Sequence, residues 1–287
     1  MGIPGLKQWV KSHKTLGKLA RLCMRPLFWG QTQYAEWKGL LRSKGWSNPA
    51  KFAYLKDLKD SHLGERCFVV ATGPSLTFDD LHLLKEKKMF CLGMNSCVLA
   101  LDKTDWVPDL LGVEDEYVYA KIEKALESAS EDKLKDRILV SDNVSKYYKS
   151  ARKYHIFPQS LLDHKYDFDK IGKIKFSDDC YKIVYDAYTI TFSMMQIAVY
   201  MGFKEIYLIG CDCNYEKNKE HFIDHGVKDP YAPQLGERFI YVHGKFKEFA
   251  QKKGVKVVNC TRGGMLEVYP RVTLESVLGI SKADDVG

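Results

Sequence analysis

The chain is expected to fold as an α/β protein: a Rossmann-like, mainly parallel sheet flanked by helices, behind a basic helical N-terminal segment. Three observations predict this. Short apolar runs alternate with longer segments of helical period, the pattern of β-α-β crossovers. The polar clusters follow directly on those runs, as they do at the carboxyl ends of parallel strands. The charge is confined to one end. Residues 1–51 hold ten Lys or Arg against one acid, Glu36, so this segment is +9 and the rest of the +7 chain is −2.

In order, Ile3, Leu6, Val10, Leu16, Leu19, Ala20, Cys23 and Leu27 recur near helical spacing, with Lys and Arg between them. Pro26 is expected to limit that helix. It would pack on its own domain or on a second subunit, or lie on an anionic membrane surface through residues 3–27 with Trp9 at the boundary; packing is slightly favoured. Residues 1–60 form this extension and 61–287 the nucleotide-binding catalytic domain. Arg66–Ala71 is a buried strand before a Gly-Pro turn, and Thr77 caps the next helix ahead of Asp79 and Asp80. Met89–Met94, Asp109–Val113 and Arg137–Val140 are further strands, with a helix over Glu116–Ser128. Residues 142–187 lack a clear period and are expected to be an insertion or lid. A helix over Thr191–Met201 ends at Gly202 and leads into the strand Glu205–Gly210. After a loop of roughly 20 residues come the helix Phe239–Lys253 and the strand Val255–Asn259.

A chain of 287 residues, 45% hydrophobic and 28% charged, can bury a full core and is not extended disorder. The near-neutral body excludes nucleic acid as a generic partner. The eight cysteines include no C-x-x-C pair, which suits a reducing cytoplasm. Cys211-Asp212-Cys213 reads as structural or site-lining rather than metal-binding, since third and fourth ligands are missing. No apolar run is long enough to cross a membrane, and lysines interrupt any signal-peptide pattern.

Five clusters could carry chemistry. In Thr72-Gly73-Pro74-Ser75-Leu76, Gly73 lets backbone approach a ligand, and Ser75 offers a hydroxyl beside a helix start, suited to phosphate or ribose. It is neither G-x-G-x-x-G nor a Walker loop. Asn95, after the second strand, has a donor and acceptor for a ribose or base edge, or supports its own loop. Glu114, Asp115 and Glu116 could bind a divalent cation or cap a helix. Gly210-Cys211-Asp212-Cys213-Asn214 puts a carboxylate at an apolar strand end, costly unless it binds something. His221, His225 and His243 are candidate bases near it, whereas His82, His155 and His164 read as solvated surface. Thr261-Arg262-Gly263-Gly264 provides N–H groups and a guanidinium for a phosphate, or merely closes the sheet.

The order GPSL, LGMN, VED, TITFSMMQIAVYMGFKEIYLIGCD, EHF and NCTRGGMLEVYPRV resembles the MptE-like family over about residues 64 to 277. The archaeal namesake is a 6-hydroxymethylpterin diphosphokinase; many bacterial members sit among surface-polysaccharide genes, and flagellin glycosyltransferases carry a related domain. A partial resemblance also links the chain to bacterial sialyltransferases that use a CMP-activated sugar. It implies that Thr72, Gly73, Pro74 and Ser75 hold the nucleotide phosphate or ribose, Asn95 the ribose or leaving phosphate, and Asp212 the cytidine end. Thr72 stands where those enzymes have Asn, Asn214-Tyr215 is shifted against their tyrosine pair, and their catalytic His has two possible counterparts, His221 and His243. The expected activity is glycosyl transfer from a nucleotide-activated donor, CMP-type favoured and with no certain cofactor, to a glycan or lipid-linked acceptor at the inner face of a bacterial plasma membrane. Catalysis would fall to His221, Asp212 and His243. Binding would fall to Thr72–Ser75, Asn95, Asp115, Thr191, Gly210, Asn214, Thr261 and Arg262. The alternative is diphosphate transfer from ATP to a hydroxymethylpterin, with Mg²⁺ at Glu114 and Asp115. A homo-oligomer is compatible with either.

Overall fold

The computed structural model describes residues 14–161, 174–214, 221–223 and 232–280. Helix α1 (Lys14–Ser43) leads into a 3-10 turn (Ala50–Phe52) and the short α2 (Tyr54–Leu58). Then follow β1 (Arg66–Val70), α3 (Phe78–Glu86), β2 (Cys91–Met94), β3 (Leu110–Val113), α4 (Glu116–Glu131) and β4 (Ile138–Ser141). The second half holds α5 (Asp142–Tyr147), β5 (His155–Phe157), β6 (Gln159–Ser160), β7 (Val184–Tyr185) and α6 (Ile190–Tyr200). It closes with β8 (Glu205–Ile209), α7 (Ala232–Lys252), β9 (Lys256–Asn259) and α8 (Leu274–Val277).

Among the described residues, seven strands pair in the order β5-β4-β3-β2-β1-β8-β9, every neighbour parallel. This is the expected Rossmann-like α/β sheet. Its strand centres are apolar because helices cover both faces; Cys67, Phe68, Val69 and Val70 of β1 are fully buried. Helix α6 is apolar nearly all round and buried, packed on β1, β2 and β3. The chain runs outward from β1 to β5 and then returns to place β8 on the opposite side of β1. That reversal opens a crevice at the carboxyl ends of β1 and β8, where such sheets bind ligands.

Thr77 caps α3 as expected: its side chain accepts from the Asp80 N–H, and the Asp80 carboxylate accepts from the Thr77 N–H at 2.9 Å. Other expectations need correction. Helix α1 continues through Pro26 to Ser43, because its inner face stays packed beyond the break; residues 1–13 of the expected basic helix lie outside the described residues. Residues 142–187 are not simply an insertion. They supply α5, the sheet-edge strand β5 and a small parallel pair, β6 with β7, although 162–173 lie outside the described residues. Strands of two or three residues are too short to show a period. His155 is not solvated surface either: its ring stacks on Tyr54 with centroids 3.5 Å apart, and burial pulls its pKa down. His82 is exposed as expected, and His164 lies outside the described residues.

Candidate functional site

The crevice at the β1/β8 reversal forms a cleft of ≈ 120 Å³. Thr72, Gly73 and Pro74 after β1 line one side, and Gly210, Asp212, Cys213 and Asn214 after β8 line the other. Asn95, Thr189, Thr191, His221 and His243 complete it. The two loops touch through backbone: the Gly73 N–H donates to the Gly210 carbonyl at 2.9 Å, extending the β1–β8 ladder past the strand ends. A Cβ on Gly73 would lie 2.0 Å from Asp212 Oδ2 and 2.4 Å from Gly210 O, so only glycine fits.

Asp212 is the buried carboxylate of this site. The Ser75 hydroxyl donates to its Oδ2 at 2.8 Å, with the Ser75 N–H farther off at 3.4 Å. Burial pushes the Asp212 pKa up, and the Ser75 bonds pull against that rise. Ser75 therefore orients the acid from behind and does not itself line the cleft. Cys211 and Cys213 flank the acid; burial pushes both thiols up, Cys213 to about 12, so neither supplies a thiolate at neutral pH. Asn95 and Cys213 line the cleft with φ of 45° and 51°, left-handed values that non-glycine residues hold at a cost of about 1–3 kcal/mol. The Asn95 Oδ1 atom is buried without a hydrogen-bond partner.

The expected histidines differ in kind. His221 lines the cleft next to Phe222, whose N–H donates to the Thr72 carbonyl at 2.7 Å. His243 is buried on α7, against Phe192 and within 3.1 Å of the Tyr269 hydroxyl, and burial pulls its pKa down to about 3. Such a ring stays neutral and is a weak base at pH 7. His225 lies outside the described residues.

A second cavity, ≈ 340 Å³, adjoins the first, with Asn95, Thr189 and Ile190 lining both. Glu114, Asp115, Glu116, Asn143, Gln159 and Tyr188 border it, and the Gln159 Oε1 atom is also buried without a hydrogen-bond partner. Asp115 caps α4, its Oδ1 accepting from the N–H groups of Tyr117 at 2.7 Å and Val118 at 2.9 Å. Glu114 is buried and accepts from the Ser193 hydroxyl at 2.6 Å. Both carboxylates are thus engaged by protein donors, which fits poorly with a shared Mg²⁺. Among the described residues no group of three or more His, Cys, Asp or Glu comes together as metal ligands would.

The last expected cluster stands apart from the cleft. Thr261 is buried and its hydroxyl accepts from the Cys211 N–H at 3.0 Å, bracing the Asp212 loop. Arg262 does not face the cleft but pairs with buried Asp80 and, at 3.0 Å, with Glu275. The expected place near a phosphate is not where it sits: these two carboxylates hold its guanidinium away from the cleft lining. Arg271, unremarked in the sequence, closes the turn by donating to the carbonyls of Thr261, Gly263 and Leu266. Thr189 was also missed. It caps α6, accepting from the Thr191 N–H, and puts that helix N-terminus at the border of both cavities. The Thr-x-Thr opening of an apolar helix is the signal that could have found it.

The model of the family described as "6-hydroxymethylpterin diphosphokinase MptE-like" matches residues 46–218. Among solved structures, one titled "Structure of MAf glycosyltransferase from Magnetospirillum magneticum AMB-1" is similar at 16% identity and a TM-score of 0.49. The similarity covers 76% of this chain and 35% of that one, so the chain spans about a third of that neighbour's length. No curated protein matches the chain.

Proposed function

The chain belongs to the MptE-like family, and from that premise and the cleft we propose that it transfers a glycosyl group from a nucleotide-activated sugar to an acceptor hydroxyl. One observation carries this reading: Thr72–Pro74, Asn95, the α6 N-terminus and the buried Asp212 meet in one cleft at the β1/β8 reversal. The backbone near Gly73 and the α6 N-terminus suit a phosphate. Asp212, kept in place by Ser75, accepts a hydroxyl or amino group of the nucleoside. Among the described residues the cleft is lined by no Lys or Arg, which suits the single phosphate of a CMP-sugar better than a triphosphate.

The adjoining cavity takes the acceptor. The acceptor oxygen attacks the anomeric carbon, and its proton passes to His221. The bond from that carbon to the phosphate oxygen breaks, and the electron pair leaves on the phosphate. His243, neutral and buried, forms a wall rather than the base. A cell-surface glycan precursor, lipid-linked or free, is the acceptor class this reading favours.

The family's description supports a second reading, diphosphate transfer from ATP to a hydroxymethylpterin. Its Mg²⁺ would fall to Glu114 and Asp115, whose engagement with Ser193 and the α4 N-terminus argues against it. A thermal-shift series separates the two. Stabilisation by CMP, abolished in Asp212→Ala, supports glycosyl transfer. Stabilisation by ATP with Mg²⁺ and none by CMP, UDP or GDP compounds would overturn it in favour of the diphosphokinase.

A further inference from the structure

Helix α1 is attached to the body by its polar side. Gly39 lies so close to β7's approach that an added Cβ would sit 2.4 Å from the Lys182 carbonyl. Arg42 donates from Nε to the Tyr181 carbonyl at 3.0 Å and from Nη2 to the Lys182 carbonyl at 2.6 Å. Glu36 accepts from the Tyr185 hydroxyl at 2.9 Å and from Lys175 at 3.0 Å. On the rest of its circumference Leu27, Trp29, Tyr34, Trp37 and Leu40 are exposed, and exposed Trp46 follows just past the helix end. Trp29 is 61% exposed, Trp37 53% and Trp46 80%. A surface helix ordinarily buries its apolar side and wets its polar one. Here Thr32 and Arg42 are buried while these large apolar side chains stay exposed, a pattern that marks an interaction surface.

We propose that this outer face of α1 docks on an anionic lipid surface. The charge selects the occupant. The face belongs to a segment of +9 within a chain whose remainder is −2. Lys38 and Lys44 are exposed on the same helix and just beyond it, with the Lys38 ammonium 4.3 Å from the Tyr34 ring centre. A second copy would bring two such positive segments together, whereas anionic headgroups attract each basic residue. Exposed Trp, Tyr and Leu beside Lys is the composition that settles at the boundary between headgroups and acyl chains. Among the described residues no helix is long and apolar enough to cross a membrane, so contact would be along the surface.

The test uses the full chain with vesicles of phosphatidylcholine alone and of equal parts phosphatidylcholine and phosphatidylglycerol. The protein should co-sediment with the anionic vesicles, shift its tryptophan emission to the blue on binding, and be released by salt. The variant Trp29→Ser/Trp37→Ser/Leu40→Ser removes exposed side chains only. It should keep the wild-type melting temperature and lose vesicle affinity by about a hundredfold. Lys38→Glu/Lys44→Glu should lose about tenfold or more. No sedimentation with the anionic vesicles, or equal sedimentation of the triple serine variant, overturns the proposal. So does a dimer in velocity sedimentation that the triple variant dissolves while vesicles are ignored.

Discussion

Gly73→Ala tests the site's geometry most directly. The new methyl would stand 2.0 Å from Asp212 Oδ2 and 2.4 Å from Gly210 O, each about 1 Å or more inside a normal contact of about 3.4 Å. The carboxylate can turn away only by giving up the Ser75 hydroxyl at 2.8 Å. The Gly210 carbonyl belongs to the β1–β8 junction and can retreat only by losing the Gly73 N–H at 2.9 Å. Overpacking costs about 1–3 kcal/mol, the backbone hydrogen bond about 1 kcal/mol, and the bond to the carboxylate about 1.5–3 kcal/mol. Since relaxation spares part of this, the expected loss is about 3–5 kcal/mol. At roughly 2–4 °C per kcal/mol, that is a fall of about 6–20 °C in melting temperature. Urea unfolding and calorimetry measure the loss, and nucleotide binding should vanish with it. Gly244→Ala is the control: it lies inside α7 with open space where a Cβ would go, so it should stabilise by about 0.5–1 kcal/mol. A Gly73→Ala protein that melts within a degree or two of wild type would refute the reasoning.

Asp212→Asn should weaken nucleotide binding by about tenfold or more without unfolding the protein. Because burial raises the Asp212 pKa, the folded state holds its proton to higher pH than the unfolded state does. Stability therefore falls as pH climbs through the carboxylate range, and the Asn variant should show a flatter profile in pH-resolved melts. His243 works in the opposite sense: with its pKa pulled down to about 3, the unfolded state binds the proton first. Stability should fall by about 1.4 kcal/mol per pH unit between roughly pH 6 and pH 3, and His243→Leu should remove that slope. Arg262→Ala should cost about 1–3 kcal/mol by stranding buried Asp80, while nucleotide affinity measured by calorimetry stays the same. A drop in affinity there would restore Arg262 to the phosphate. His221→Gln should slow turnover and remove the acidic limb of its pH profile, with little effect on donor affinity.

Most of the sheet is readable from local pattern. The runs that become β1, β2, β3, β4, β8 and β9 are apolar because helices cover both faces of a parallel sheet. β5, three residues at the edge, has no such signature, and its His155 looks like a surface residue until Tyr54 is stacked against it. Helix α7 begins seven residues before the expected Phe239, at Ala232, because its first turns lack a clear apolar stripe. The polar clusters after the strands were visible as candidates. Which of them face one cleft was not.

Local chemistry in the sequence was enough to determine the alternation of strands and helices, the capping of α3 by Thr77, and the need for glycine and proline after β1. Those features depend on neighbours a few residues away. Only the tertiary structure decided the rest, because it depends on strand order. Pairing β8 beside β1 brings Ser75 to Asp212 across 137 residues of chain, and it buries that carboxylate while turning Arg262 away toward Asp80. The same packing spends Asp115 on its own helix and turns the aromatic side of α1 outward. A residue's charge and shape are written in the sequence, but its partners are set by what the fold places next to it.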